Sequence, residues 1–407
     1  MKHFSSFYLE DTWREKERMW GDPLHRLCPY IGKFPPALAN YFITRLSDFG
    51  DVVADPFAGS GTVPLEAVLL GRRGFGSDTF TLAQVISRAK LTTLSFDSFK
   101  RFAVKFSARA QNFDEVKLDN PDVEEYFHPE TLAELLKWRA LLLSEEENRF
   151  TVLLRALICA VLHGPSAGFL SWPMKETYSS TVGYIKKYKK KHKVIPRPRS
   201  VLQCVLIKAR TVLPHHSPTR MFRGKIFSED SRQIVFGESL DLVVTSPPYL
   251  RVLDYTWNNW LRLWFLGVER KTERKRQTLT SNIKKWESFM GTTLENLHSQ
   301  VKPGAYIVIV TGDVRRGSKI YPSALRVARI AEQCGKFEPC CVITDDYDTF
   351  SRPYQQFNMS KYTDFEHSEA SVPRDRCLIL RETSQESSFC WKEGVRHVPK
   401  IVQSRLF

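Results

Sequence analysis

The chain has 407 residues and a formal charge of +15. That length admits two or three domains with a sizeable core, and the positive surplus points to a phosphate-bearing partner, since Lys and Arg displace counterions from nucleic acid. Eight cysteines without a Cys-x-x-Cys pair argue against a zinc knuckle, another metal site or a disulfide framework, and no apolar run approaches the roughly twenty residues of a membrane span.

Met1-Lys2-His3-Phe4 lacks the apolar stretch of a signal peptide, which leads us to expect a soluble protein of a reducing compartment. In the leading segment, residues 36–47 read as an amphipathic helix. Asp51-Val52-Val53-Ala54 reads as a buried strand, followed directly by the turn Asp55-Pro56-Phe57-Ala58-Gly59-Ser60-Gly61-Thr62 and a helix over 63–70, where Pro64 is tolerated in the first turn. Strand, glycine turn and helix make the first crossover of a nucleotide-binding α/β sheet, with Gly59 and Gly61 allowing close approach of a ligand to the backbone. The dinucleotide fingerprint would need a third glycine where Pro64 stands, and the P-loop would need a lysine after Gly61; both phosphate-cradle readings fail. A second short strand over 74–78 ends in Asp78, about twenty residues past the turn, where an acid can accept both ribose hydroxyls of an adenosine. The same acid can also N-cap the helix expected over 82–91.

From 97 to 222 the alternation of strand and helix stops. Residues 130–143, 148–162 and 201–213 carry helical spacing, and a block this long is a domain or large subdomain rather than a loop. It contains Lys186, Lys187, Lys189, Lys190, Lys191 and Lys193 interleaved with Tyr184 and Tyr188, then Arg197 and Arg199. The pattern suits phosphate contacts with stacking, and is favoured over a merely solvated helix face. Strands resume at 225–227 and 242–244, with a central strand at 306–310, a helix at 322–334 stopped by Gly335, and final strands at 341–343 and 377–380. Cys340 and Cys341 read as core.

Beyond the strand of 242–244 lies Thr245-Ser246-Pro247-Pro248-Tyr249. Proline fixes φ and removes backbone donors, so the carbonyls of Ser246 and Pro247 stay out of the ladder and can face a ligand. Acceptors beside the flat face of Tyr249 suit a planar base with an exocyclic amine, held out of its stack for chemistry.

Together, the glycine turn, Asp78 and the Ser-Pro-Pro-Tyr loop resemble those of the S-adenosylmethionine-dependent DNA methyltransferases that modify exocyclic amines. Cys28-Pro29-Tyr30-Ile31-Gly32-Lys33-Phe34-Pro35-Pro36-Ala37 resembles the segment that closes over the methionine end of the cofactor in that family. Phe227-Ser228-Glu229-Asp230 resembles the third-strand end whose acid contacts the adenine amine. The resemblance spans 22–92 and 222–335. It implies a Rossmann-like class I α/β sheet with helices on both faces, formed by 1–96 and 223–381, around a mostly helical insertion at 97–222, with a basic tail at 382–407. It implies S-adenosyl-L-methionine held by Lys33, Phe34, Asp55, Pro56, Phe57, Gly59, Ser60, Gly61, Thr62, Asp78 and Asp230, and catalysis by Ser246, Pro247, Pro248 and Tyr249. With the cofactor turn ahead of the catalytic loop, target recognition falls in the insertion, and a second basic run at 269–285 can contribute.

The expected substrate is double-stranded DNA in a prokaryotic cytoplasm, and a cognate restriction endonuclease acting on the same site is a further candidate partner. The Ser-Pro-Pro-Tyr version leans to cytosine N4; adenine N6, an RNA amine, or a scaffold with a degenerate methyltransferase fold are the alternatives. Carbon-5 cytosine chemistry would want a Pro-Cys-Gln nucleophile, and Pro339-Cys340-Cys341 does not supply one. Tyr255, Trp257 and Asn258 either line the base pocket, fill the gap left by the base or pack as core, whereas Trp264 and Phe265 read as core. Asp313 shapes the rim of the site or caps the turn at 314–317.

Overall fold

A computed structural model describes residues 5–8, 21–114, 116–174, 176–193, 197–216, 220–249, 254–278, 280–316, 319–345, 375–384 and 396–397. Its main sheet contains β1 (Ser5–Tyr8), β2 (Val52–Asp55), β3 (Arg73–Ser77), β4 (Lys225–Phe227), β5 (Leu240–Thr245), β6 (Val301–Gly312), β9 (Phe337–Asp345), β10 (Asp375–Glu382) and β11 (Arg396–His397); β7 (Val314–Arg316) and β8 (Lys319–Tyr321) form a separate hairpin. The order is β11-β1-β9-β10-β6-β5-β2-β3-β4. Strands β4, β3, β2, β5 and β6 run parallel, while β10 is antiparallel to both β6 and β9. This is the Rossmann-like class I arrangement expected from the sequence.

Alternate residues of the central strands feed opposite layers, as a pleated strand requires. Val52, Ala54, Val243 and Ile307 pack under α12 (Ile283–His298) and α13 (Ser323–Cys334). Val53, Leu242, Val244 and Val308 pack under α1 (Pro36–Leu46) and α2 (Thr62–Leu69). Both faces being covered, these strands read as continuous apolar runs.

The insertion consists of α4 (Phe96–Gln111), α5 (Pro129–Ser144), α6 (Arg149–Val161), α7 (Val182–His192) and α8 (Val201–Val212). Its apolar faces share one core with α3 (Thr81–Leu91) and with Leu261, Leu263, Trp264 and Phe265 of α10 (Trp260–Phe265). The short helices α9 (Tyr255–Asn258) and α11 (Arg270–Arg276) flank α10. The turn expected after Asp313 is the β7–β8 hairpin, and most of the basic tail at 382–407 lies outside the described residues.

Strand β2 has β3, its successor in the chain, on one side and β5 on the other. Chain direction across the sheet reverses there, so a crevice opens beyond the carboxyl ends of β2 and β5.

Candidate cofactor and catalytic site

Two strand ends meet at that crevice. Asp55, the last residue of β2, accepts a hydrogen bond of 2.6 Å from the hydroxyl of Thr245, the last residue of β5, and one of 3.0 Å from the Phe57 amide. Burial raises the Asp55 carboxyl to about 7 against the lowering effect of those bonds. The glycine turn and the Ser-Pro-Pro-Tyr loop are therefore joined at their roots.

Within the turn the two glycines have different reasons. Gly59 and Gly61 have φ of +49° and +72°, which disfavour a side chain at either. A Cβ on Gly61 would also lie 2.6 Å from Ser87 Cβ, so this glycine serves the packing of α3 against the turn rather than the approach of a ligand. A Cβ on Gly59 would meet the Tyr30 ring at 3.4 Å and the Phe57 carbonyl at 3.9 Å, both ordinary contacts. Asp78, just past β3, accepts from the Gly59 amide at 2.8 Å through one oxygen and from the Phe80 amide at 2.8 Å through the other. Asp78 does not cap α3 as expected, because the N-cap position is Phe80 and has no side-chain hydrogen bond; it holds the turn, and keeps a further lone pair on each oxygen for a ribose diol. Burial lifts its carboxyl to about 6. Ser60 and Thr62 are buried, and Thr62 Oγ1 has no partner among the described residues.

Lys33 donates its ammonium to the His25 carbonyl at 2.7 Å, and burial brings it down to about 8. Phe34 is buried in the core cluster that contains Val53 of β2. Phe57 packs on Phe289 with ring centres 5.6 Å apart. Asp230 is closed by Arg232, which donates its amide and Nε to Oδ1 and Nη2 to Oδ2 at 2.8–2.9 Å. An adenine amine would have to share an acid already spoken for.

An aromatic wall joins residues that the sequence announces separately, Tyr30 in the segment resembling the cofactor-closing one and Tyr255 among the base-pocket candidates, with Phe80, which it does not single out. Tyr30 stacks on Tyr255 with centroids 6.3 Å apart, and Phe80 lies 6.5 Å from each. The sequence reading also missed Lys90 of α3, wholly buried beneath the turn with its ammonium 3.4 Å from Ser60 Oγ. The signal for Lys90 and Phe80 was weak: single residues in or beside a segment read as ordinary helix.

In the Ser-Pro-Pro-Tyr loop, Pro247 is buried, Ser246 is half-buried and Tyr249 is 38% exposed. Trp286 of α12 donates its indole N–H to the Pro248 carbonyl at 2.8 Å. That bond fixes the loop's second proline and leaves Ser246 Oγ and the Pro247 carbonyl as acceptors without a partner among the described residues. Residues 250–253 lie outside the description. Asp313 is held by Arg376 at 3.0 Å, which ties it to β10.

The lysine run forms α7, capped by Thr181. Lys189 is engaged inward, 2.7 Å from Glu125 and with its ammonium 4.9 Å from the Trp172 ring centre; Lys186 reaches Glu125 at 3.5 Å. Lys187, Lys190, Lys191, Lys193 and Arg197 are exposed, whereas Arg199 is half-buried and bonds the Ala167 carbonyl.

Asp78, with its spare lone pairs, is the group at the turn that could hold a ribose diol, and the Lys33 ammonium is the cation that could hold a carboxylate. Among solved structures, the chain is similar to TrmN from Thermus thermophilus (TM-score 0.34, 12% identity, covering 88% of this chain and 52% of that one). It is also similar to the rRNA methyltransferase AviRa from Streptomyces viridochromogenes (TM-score 0.33, 13% identity, covering 90% and 94%). Likenesses this loose carry no argument. The Type II methyltransferase M.MjaII of Methanocaldococcus jannaschii is 31% identical over 115 residues, or 28% of this chain, which spans about a fifth (21%) of that relative's length. Residues 4–81, the segment carrying the glycine turn and Asp78, match the DNA methylase family of N6 and N4 amino-methyltransferases, and the resemblance read from the motifs is to that family, whose cofactor is S-adenosyl-L-methionine.

Proposed function

We propose that the protein transfers a methyl group from S-adenosyl-L-methionine to an exocyclic amine of DNA, with cytosine N4 as the target, as the modification half of a restriction-modification pair. The observation that carries this reading is the 2.6 Å bond between Asp55 and Thr245, which sets the glycine turn against a loop with two acceptors that have no partner among the described residues. The bound cofactor supplies a methyl group already activated by its sulfonium, so the chain's own task is chiefly positioning.

An exocyclic amine is a poor nucleophile because its lone pair is delocalised into the ring. Ser246 Oγ and the Pro247 carbonyl accept hydrogen bonds from its two N–H groups, which favours a pyramidal nitrogen with its lone pair aimed at the methyl group. Tyr249 stacks on the extruded base. Trp286 steadies the loop through its bond to the Pro248 carbonyl. Serine where other members have an acid leaves no strong base at hand, and the amine proton departs to solvent after transfer. Adenine N6 would be served by the same geometry; the lean to cytosine rests on the Ser-Pro-Pro-Tyr form alone. Mass spectrometry of nucleosides from DNA treated with protein and cofactor tests the reading: N4-methylcytosine is expected, N6-methyladenine alone would correct the base, and methylated RNA with unmodified DNA would overturn it.

A further inference from the structure

Three candidates for contact with the substrate follow the catalytic loop closely in sequence, and the structure separates them. Tyr255 turns inward onto Tyr30, and a Cβ on Gly32 would lie 3.2 Å from its hydroxyl, so it lines the cofactor side. Asn258 is partly buried, and its carbonyl accepts from the Ser179 amide at 2.9 Å. Trp257 points out, 41% exposed, with the Arg270 guanidinium 4.8 Å from its ring centre. A large aromatic held in solvent by a stacked cation is a costly arrangement for packing alone, and a useful one for meeting a base.

The surroundings of Trp257 carry charge on two sides. Arg270 opens α11, seven residues with five cations, of which Lys271, Arg274, Lys275 and Arg276 are exposed. That helix is pinned by Glu273, 1% exposed, which accepts from the amide and hydroxyl of Thr81 at the start of α3, three residues past Asp78. Arg274 also pairs with Asp254 at 3.2 Å. On the other side, the Ser179–Asn258 bond and a 3.3 Å bond from Trp260 Nε1 to the Ser180 carbonyl place the start of the lysine helix α7 beside Trp257. The aromatic thus stands between two basic helices, eight residues after Tyr249.

We infer that Trp257 and the cationic face of α11 grip the DNA at the target base pair: Trp257 stacks on the opposite-strand base left unpartnered when the target leaves the duplex, and Arg270, Arg274 and Lys275 contact neighbouring backbone phosphates. The inference rests on the methyltransferase reading above and adds the surface that the substrate meets. Base–aromatic stacking is indifferent to sequence, because every base has a π-face, so the grip supports extrusion at any recognised site.

The test uses the full chain, a mixed-sequence 30-base-pair duplex and the same duplex with one abasic position, followed by fluorescence anisotropy. Trp257→Ala should weaken binding to the abasic duplex about tenfold with little change on the intact one, and Trp257→Phe should restore most of the loss, as expected for stacking. Changing Arg270, Arg274 and Lys275 together to Gln should flatten the slope of log affinity against log salt by about two to three units. Cofactor affinity by calorimetry should match the parent in all variants, which separates this effect from misfolding. Parent protein that methylates DNA while neither set of variants alters duplex binding would overturn the inference alone. Parent protein that binds cofactor but methylates no DNA would overturn the methyltransferase reading with it, as would a Trp257 effect confined to an RNA hairpin.

Discussion

Thr245, at the end of β5, donates its hydroxyl proton to the carboxyl of Asp55, at the end of β2, across 2.6 Å of buried space. The two residues are 190 positions apart, one in the glycine turn and one at the root of the catalytic loop. Thr245→Val keeps the shape and removes the donor, and should cost about 1–2 kcal/mol of stability, the usual worth of a buried hydrogen bond. Denaturant unfolding checks it. Asp55 adds a pH signature. Its folded value of about 7 exceeds the ordinary carboxylate value of 3.8, so the folded chain keeps a proton that the unfolded chain loses. The stabilisation is fully present below about pH 4, falls as pH rises towards 7 and is flat beyond. Asp55→Asn should remove that decline; if the substituted protein keeps the parent's pH profile, the carboxyl is ionised in the fold.

Much of this was legible in the chain. Strand β2, the turn, helix α2 and Asp78 are contiguous and follow local rules, so periodicity and glycine spacing located them. The central strands were readable because burial on both faces leaves continuous apolar runs, as in Tyr306-Ile307-Val308-Ile309-Val310. What was not legible is mostly long-range. Nothing near Gly61 announces that Ser87 lies against it, and nothing near Trp286 announces the Pro248 carbonyl. Asp230 has an acid's motif position, but its neighbour Arg232 closes on it, an outcome set by loop geometry rather than composition. Likewise Phe34 stands in a motif yet faces the core.

The lysine helix divides into two kinds of residue. Replacing Lys187, Lys190, Lys191 and Lys193 by Gln should flatten the salt slope of DNA binding by about three to four units while leaving unfolding unchanged. Lys189→Gln should instead destabilise the insertion through the loss of Glu125 and Trp172, by about 1 kcal/mol. Salt titrations and denaturant curves measured side by side would reveal whether the division is real; equal salt effects from both sets would refute it.

Lys33 predicts how cofactor affinity responds to pH. Burial holds its ammonium at about 8, below the ordinary 10.5, and a carboxylate arriving beside it would favour the protonated form. Affinity should therefore fall as pH rises beyond about 8, by up to about tenfold per unit. Calorimetry with S-adenosylhomocysteine between about pH 7 and 10, compared with Lys33→Met, isolates this residue from the ligand's own titration. A parent profile as flat as the variant's would remove Lys33 from the carboxylate site.

Trp286 is buried in the α12 layer, and its indole N–H holds the Pro248 carbonyl. Trp286→Phe keeps most of the packing in the α12 layer and releases that carbonyl. Turnover should drop by about tenfold, the value of one neutral hydrogen bond, with cofactor affinity unchanged. The loop would then sample orientations in which Pro247 no longer faces the crevice, so kcat should fall more than KM rises. A pure loss of stability with normal turnover at low temperature would reduce Trp286 to core packing.

Ser246→Ala bears most directly on the chemistry. The hydroxyl has no partner among the described residues, so its removal leaves no orphaned group inside the protein and should cost little stability. Cofactor affinity should hold, because the turn, Asp78 and Lys33 are untouched. Turnover should fall by about a hundredfold, corresponding to about 2–3 kcal/mol for an acceptor whose hydrogen bond strengthens as the amine becomes pyramidal. Single-turnover kinetics with preformed complex separates the chemical step from binding and release. If methyl transfer in that experiment proceeds at the parent rate, Ser246 is not the acceptor, and the amine is directed by the Pro247 carbonyl and the stack on Tyr249 alone.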